Sequence, residues 1–565
     1  MNMRWIVTCC ALLTVCVIGM AAYEEGGFAP DKWVSSALKE PTLQELLEDV
    51  NKRHSNEMIT LDPYAKKMDA TLNQPAHNRM HVDTMLPVAG KITQYQRLSQ
   101  PYVWIHIKYL GKGGNPDLPD EQDVYAPVKQ GRFNEKIRLF QGKGEYRVTL
   151  RLPSEEQEDT YYLMASFIAA NLNDDVERDV SYSVAAAKAK LKLDEPVMGY
   201  SEKRKAISLK GRIRPDVRTV LVQLKRGARE TRRVVSVEKG QFEEQIPLTY
   251  GQGVHQLKIL VPDSKRKGTY LDGATLYVNH PLAEEKEPIR FTRLYAERGI
   301  HLTAPLVGGE QADLTYRIAG RIDESAPFAK QTTHMIVRIQ KGKDKATYFL
   351  PVGGYQFDSK IWLRFGAGEY KVTLYAPEIT SQNRDYFRFF TVATFRVTSR
   401  AQMDGRDLLP GRGIQSDHPL IIDLAKEITA GKVTDRAKAR AIYTYVAKNM
   451  TYDMDKFRNN RFSWNDSAIK SLSTRKGVCQ DYVFLTLALL RSLDIPSRFV
   501  EGEAGGQRHA WVEAKLNGRW VTMDPTWGSG HITPDGRFVK RLDMQYFDPL
   551  PDEFKRTHKR TGVSY

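Results

Sequence analysis

Residues 477–527 read GVCQDYVFLTLALLRSLDIPSRFVEGEAGGQRHAWVEAKLNGRWVTMDPTW, and the hydrophobic period changes twice within them. Val483, Leu487 and Leu490 recur at i, i+4 and i+7, with Phe484 and Ala488 beside them. This predicts a helix over Gln480–Leu493 with Cys479 at its first turn. Pro496 closes it. Two alternating runs follow, Ala510–Leu516 and Trp520–Met523, joined by Asn517-Gly518, the preferred two-residue hairpin turn. If Leu516 faces Arg519, Trp511 faces Asp524, and His509 lies two residues along on the same face. Such diagonal neighbours are about 7–8 Å apart. The predicted elements set Cys479 at a helix start and place His509 and Asp524 on one face of a hairpin.

Those three residue types are what thiol acyl transfer needs. A thiolate attacks a carbonyl, an imidazole shuttles the proton and a carboxylate orients the imidazole. A helix start favours thiolate over thiol, and a backbone N–H there can face an oxyanion. The cysteine count bears on this: of four, Cys9, Cys10 and Cys16 lie in the first 22 residues, so the remaining chain holds Cys479 alone. A lone thiol in an exported chain is either reactive or a buried, inert core residue.

Four blocks in order carry a resemblance: Gly477-Val478-Cys479-Gln480-Asp481-Tyr482, His509-Ala510-Trp511-Val512, Asn517-Gly518-Arg519-Trp520 and Asp524-Pro525-Thr526-Trp527. Residues 415–560 resemble the bacterial transglutaminase-like superfamily, including its lead-in at Lys448–Asp453 and, loosely, its tail from Tyr546-Phe547-Asp548 to Thr557-His558. The resemblance implies a papain-like α+β fold with Cys479 as nucleophile, His509 as base and Asp524 as orienting acid. Asp481 stands where that family more often has Gly. Tyr452 and Trp464 are the candidates for an oxyanion side chain, with core packing as the alternative for each. His531 and His558 read as structural. Family members include amide cross-linkers, peptidases and inactive chains, so the reaction stays open. Asp524→Asn is expected to cost less than loss of Cys479 or His509, because the acid orients and does not react.

Upstream, Asp404-Gly405 to Pro410-Gly411-Arg412-Gly413 reads as a linker. Beyond it, helices are predicted over His418–Thr429 and Asp435–Met450, the second capped at Thr434. From 81 to 400 the chain repeats three times. Gly90, Gly211 and Gly320 each begin Gly-(Lys/Arg)-Ile. An alternating strand follows, then Phe133, Phe242 and Phe357, then a Gly-x-Gly beginning at 142, 251 and 366, then Pro153, Pro262 and Pro377. A period near 110 with short strands predicts tandem β-sandwiches. The Gly-x-Gly elements lack the following helix that a phosphate loop needs, so they read as hairpin turns. The expected order is a signal peptide (1–22), a helical segment (23–80), β-sandwich modules at 81–185, 186–290 and 291–400, and a catalytic domain at 401–565.

The 565-residue chain is 41% hydrophobic and 27% charged, an ordinary globular composition that excludes a disordered or membrane-embedded protein. Arg4, the uncharged run Trp5–Ala22 and the small residues Gly19, Ala21 and Ala22 predict secretion, with an uncleaved membrane anchor as the alternative. The formal net charge is +16, which suits a secreted or cell-surface protein beside an anionic cell wall. No nucleic acid is expected, because Arg226–Arg233 and Lys265-Arg266-Lys267 lack interleaved aromatics. No cofactor or metal is expected either. His77 and His81 have helical ligand spacing but no third ligand, and Asp453-Met454-Asp455 lacks the rest of a calcium loop. The function expected is amide-bond acyl transfer on protein or peptide substrates through a Cys479 thioester. The alternative is a cell-surface binding protein with a silent papain-like scaffold.

Overall fold

The computed structural model describes residues 41–53, 57–384 and 386–565. The signal-peptide reading falls outside the described residues. Leu43–Arg53 is a helix that begins with the expected capping box: Glu45 N–H donates to Thr42 Oγ1 at 3.3 Å and Thr42 N–H to Glu45 Oε2 at 2.7 Å. It forms a unit by itself. Among the described residues no helix is long and apolar enough to cross a membrane.

Residues 57–399 fold as three β-sandwiches with one strand plan. In the first, Ala70–Gln74, Met85–Ile92 and Arg132–Arg138 make a three-stranded sheet. It faces a sheet ordered Arg79–Val82, Tyr161–Asn171, Gly144–Pro153, Tyr102–Tyr109, Glu121–Pro127. The repeated Gly and Phe explain each other. Gly90 pairs with Phe133, Gly211 with Phe242 and Gly320 with Phe357 across neighbouring strands. In each pair a Cβ on the glycine would lie 2.5 Å from the phenylalanine Cζ. The ring lies over the glycine, so no larger residue fits there.

Several expectations need correction. Residues 57–80 are not a helical segment: they hold one short helix, Pro63–Lys67, and two strands of the first sandwich. Apolar residues at alternate positions were too few there to show a strand period. The second module likewise starts before 186, since Ser181–Tyr182 already pairs with Tyr270–His280. His81 lies on the strand Arg79–Val82 and His77 in an isolated bridge, so their spacing of four is not that of a helix face. On extended chain it corresponds to about 13 Å. The Gly-x-Gly elements are corners between the two sheets of a sandwich, not hairpins within one.

The second and third modules meet around His301. Its Nδ1 is 3.0 Å from Glu244 Oε2 of the second module and its Nε2 is 2.9 Å from Asp323 Oδ2. Ser236 Oγ donates to Asp323 Oδ2 at 2.7 Å. Burial alone would push the imidazole down, but the two carboxylates outweigh it and raise its pKa to about 9. A raised imidazole stabilises the fold fully below its unfolded pKa of about 6.5, and that contribution is lost as pH rises through 9. The stability gap between the wild type and His301→Leu should therefore narrow by about 3 kcal/mol between pH 6 and pH 10. Denaturant unfolding across that range measures it, and a constant gap would show that His301 carries no charge there.

From 400 onward the chain is α+β. The helix Pro419–Ile428 is capped by His418 and the helix Asp435–Asn449 by Thr434. The helix Cys479–Arg491 is buried along nearly its whole length. It packs on a four-stranded sheet ordered Arg519–Met523, Gln507–Leu516, Ser497–Ala504, His558–Ser564. The stretch expected as a linker is instead a packed joint to the third module. Arg364 and Arg491 each donate to the Leu409 carbonyl at 2.8 Å, and Ser497 N–H donates to Asp407 O at 2.8 Å. A Cβ on Gly413 would lie 2.6 Å from the Phe484 ring. Glycines that look like flexibility in sequence here allow close backbone approach.

Candidate active site

Cys479 is the first residue of its helix, with Val478 as the N-cap. Its N–H therefore has no intrahelical acceptor. The turn before it is built around Asp481. The Asp481 Oδ2 accepts Val478 N–H at 2.8 Å, and Lys456 Nζ reaches both Asp481 oxygens at 3.0 and 2.8 Å. Burial pushes the Asp481 carboxyl up and Lys456 pulls it back. This carboxylate covers Gly477, whose Cβ would lie 2.4 Å from Asp481 Cβ. The departure at 481 thus caps the helix, with Lys456 as its counter-charge. Lys456 also pairs with Asp466 at 2.8 Å, and Gln480 Nε2 donates to Asp466 at 3.2 Å.

The hairpin supplies the other two groups in the expected register, with Leu516 opposite Arg519 and Val512 opposite Met523. His509 Nε2 donates to Asp524 Oδ2 at 2.8 Å, and the Cys479 thiol lies close enough to the same imidazole to raise its pKa. Asp524 is fully buried. Its Oδ1 accepts Thr526 N–H at 2.9 Å and Trp527 N–H at 3.2 Å. Burial works against the charge on His509, but Asp524 and then Cys479 overcome it and raise the imidazole pKa to about 10. Burial likewise opposes the Asp524 charge, and His509 and His558 hold this carboxyl well below the usual range. Cys479 itself is half-buried. The arrangement can hold an imidazolium against a sulfur and keep its far nitrogen on a fixed carboxylate.

The structure separates the two oxyanion candidates. Tyr452 pairs with Gly477, and burial together with the adjacent Cys479 drives its phenol upward. Trp464 instead stacks on His334 of the third module, with ring centroids 4.7 Å apart at 18°. The geometry there is a domain contact. Sequence reasoning missed His558, whose Nε2 donates to Asp524 Oδ2 at 3.1 Å from a fully buried side chain. The chain tail Tyr546 to His558 was a visible block, but nothing in its spacing points to Asp524. Phe547 meets Met523 in an isolated bridge, and His558 opens the strand beside Ser497–Ala504.

His509, Asp524 and His558 each offer an atom within 4.8 Å of the others, the one such grouping among the described residues. The Asp524 Oδ2 atom already accepts from both imidazoles, which suits a polar chain better than an ion. A cavity of about 540 Å³ lies at the His301 junction.

Residues 422–525 match the transglutaminase-like superfamily, and the C-terminal region is a transglutaminase-like domain. Kyphoscoliosis peptidase of Mus musculus and of Homo sapiens is 28% identical over 153 residues, covering 25% of this chain and 22% of that protein. An uncharacterized protein of Mycobacterium leprae is 38% identical over 74 residues, covering 11% of this chain and 26% of that protein. The chain thus spans about a quarter of the length of these curated relatives. A solved structure of a TGase aligns at 16% identity and a TM-score of 0.18, over 31% of this chain and 48% of that one.

Proposed function

We propose that the transglutaminase-like domain is a thiol acyltransferase acting on amide bonds of proteins or peptides. The observation that carries this reading is the His509 imidazole held on buried Asp524 with the Cys479 thiol beside it. Cys479 Sγ adds to the carbonyl carbon, and the C–N bond breaks as His509 gives its proton to the departing nitrogen. A thioester results. Water or an amine then adds to it with His509 as base, the C–S bond breaks, and the thiol is restored. The Cys479 N–H and Tyr452 are the groups for the oxyanion.

The enzyme is exported in this reading, because the leader pattern of residues 1–22 and the +16 charge suit work at an anionic cell wall. The three sandwiches then present the domain to wall-bound or surface protein substrates.

Intact-mass analysis of a glutamine peptide, with and without a primary amine, tests the reaction. Replacement of ammonia by the amine would be transamidation, conversion of amide to acid would be hydrolysis, and backbone scission would be peptidase action. An unchanged peptide beside a Cys479 that alkylates only after denaturation would favour the silent scaffold.

A further inference from the structure

We propose that His558 is a positioning residue of this centre: it donates Nε2–H to the Asp524 oxygen that His509 also uses, fixing the carboxylate and taking up part of its hydrogen-bonding capacity. The inference rests on the thiol-enzyme reading above and adds a fourth member to its polar chain.

The geometry restricts His558 to this role. Its ring stacks on Phe554 at 3.8 Å and 11°, lies 4.5 Å from Trp527, and meets Trp511 edge-on at 5.4 Å. Its Nδ1 is 2.8 Å from Thr557 Oγ1. The Thr557 hydroxyl also lies 3.3 Å from the Phe554 carbonyl; the Asp524 carboxylate can only accept, so the ring proton stands on Nε2 and points at it. Fully buried and with Nε2 on Asp524, His558 acts through the carboxylate and not on substrate.

The remaining groups facing the pair cannot take its place. Tyr443 from Asp435–Asn449, Tyr482 from the Cys479 helix, Tyr452 and Tyr546 all lie within electrostatic reach of Asp524. Tyr443 O–H donates to Asp543 O at 2.6 Å, and Tyr482 shares a hydrogen bond with Ser529 at 3.1 Å. The carboxylate therefore has four hydrogen bonds: two backbone N–H groups on Oδ1 and two imidazoles on Oδ2. Remove His558 and Oδ2 keeps one partner in a dry aromatic cage. It would then hold the His509 proton more strongly.

The test uses iodoacetate, an anionic reagent that a cationic imidazole beside the sulfur attracts. The full chain is exposed in second-scale pulses between pH 8 and 11, and alkylation is read on the Cys479 peptide. In the wild type the rate should fall as His509 loses its proton near pH 10. His558→Phe fills the cage but donates nothing, and should move that limb up by about one unit. His558→Gln, which restores an N–H donor, should return it toward the wild-type position. His558→Leu, which also donates nothing, should shift the limb in the same upward direction and serves if His558→Phe does not fold. Coincident limbs in all folded variants would overturn the proposal, even where their melting temperatures fall. A native wild type that does not alkylate at Cys479 at all would remove the thiol-enzyme reading, and this proposal with it.

Discussion

Cys479→Ala should abolish the proposed acyl transfer, by roughly 10⁶-fold, and leave the fold in place. The loss is large because the thioester has no other atom on which to form, and water attacking directly would meet the uncatalysed barrier. The fold survives because the change is local. Cys479 is the first residue of its helix, where the turn is held by Asp481, Val478 and Lys456 rather than by the thiol. Alanine is the best helix former, and the sulfur is only half-buried where it meets the core. A melting temperature within a few degrees of wild type is therefore expected. Cys479→Ser should be nearly as inactive, since an alcohol is a far weaker acid than the thiol and His509 must take its proton. Turnover of a glutamine peptide, with circular dichroism as control, measures both effects. An alanine variant that still turns over would end the reading of Cys479 as nucleophile.

The grouping of Cys479, His509 and Asp524 was legible because each sits on a local pattern. Cys479 opens a periodic run, and His509 and Asp524 are tied by a two-residue turn whose register depends on counting alone. The repeats were legible for a similar reason: the Gly–Phe pairs recur at fixed spacing because a ring must cover each glycine. What stayed hidden depends on contacts distant in sequence. Trp464 finds its partner His334 in another module, and a tryptophan near a cysteine in sequence carries no mark of that. His558 reaches Asp524 from 34 residues away, through an edge strand whose pairing with Ser497–Ala504 no turn announces. The 404–413 stretch looked like a linker because Gly and Pro mark close packing and flexibility alike, and only Arg364 and Arg491 on its carbonyls tell them apart.

Asp524→Asn should lower activity about 10⁴-fold, far more than an orienting residue suggests from sequence. The reason is which way the amide must face. Oδ1 of Asp524 accepts two backbone N–H groups, from Thr526 and Trp527, so an asparagine there has to put its oxygen on that side. Its NH₂ then points at the Nε2 atoms of His509 and His558, where the carboxylate presented an acceptor. Each imidazole must give up its Nε2 proton to accept from that amide. His509 would then carry its proton on the nitrogen facing Cys479, and could no longer take one from the thiol. The charge that holds His509 at a pKa of about 10 is lost at the same time, so imidazolium no longer persists beside the sulfur at neutral pH. Both effects act in one direction. The alternative orientation keeps the His509 bond but sets the NH₂ against two buried N–H donors, leaving them unpaired at a cost of about 1–3 kcal/mol each. The acylation rate of Asp524→Asn, compared with His509→Ala, decides between them. A variant within tenfold of wild type would mean that the amide turns its oxygen to His509 and that the turn at Thr526–Trp527 yields. A loss matching that of His509→Ala would mean that the backbone of that turn selects a carboxylate at 524.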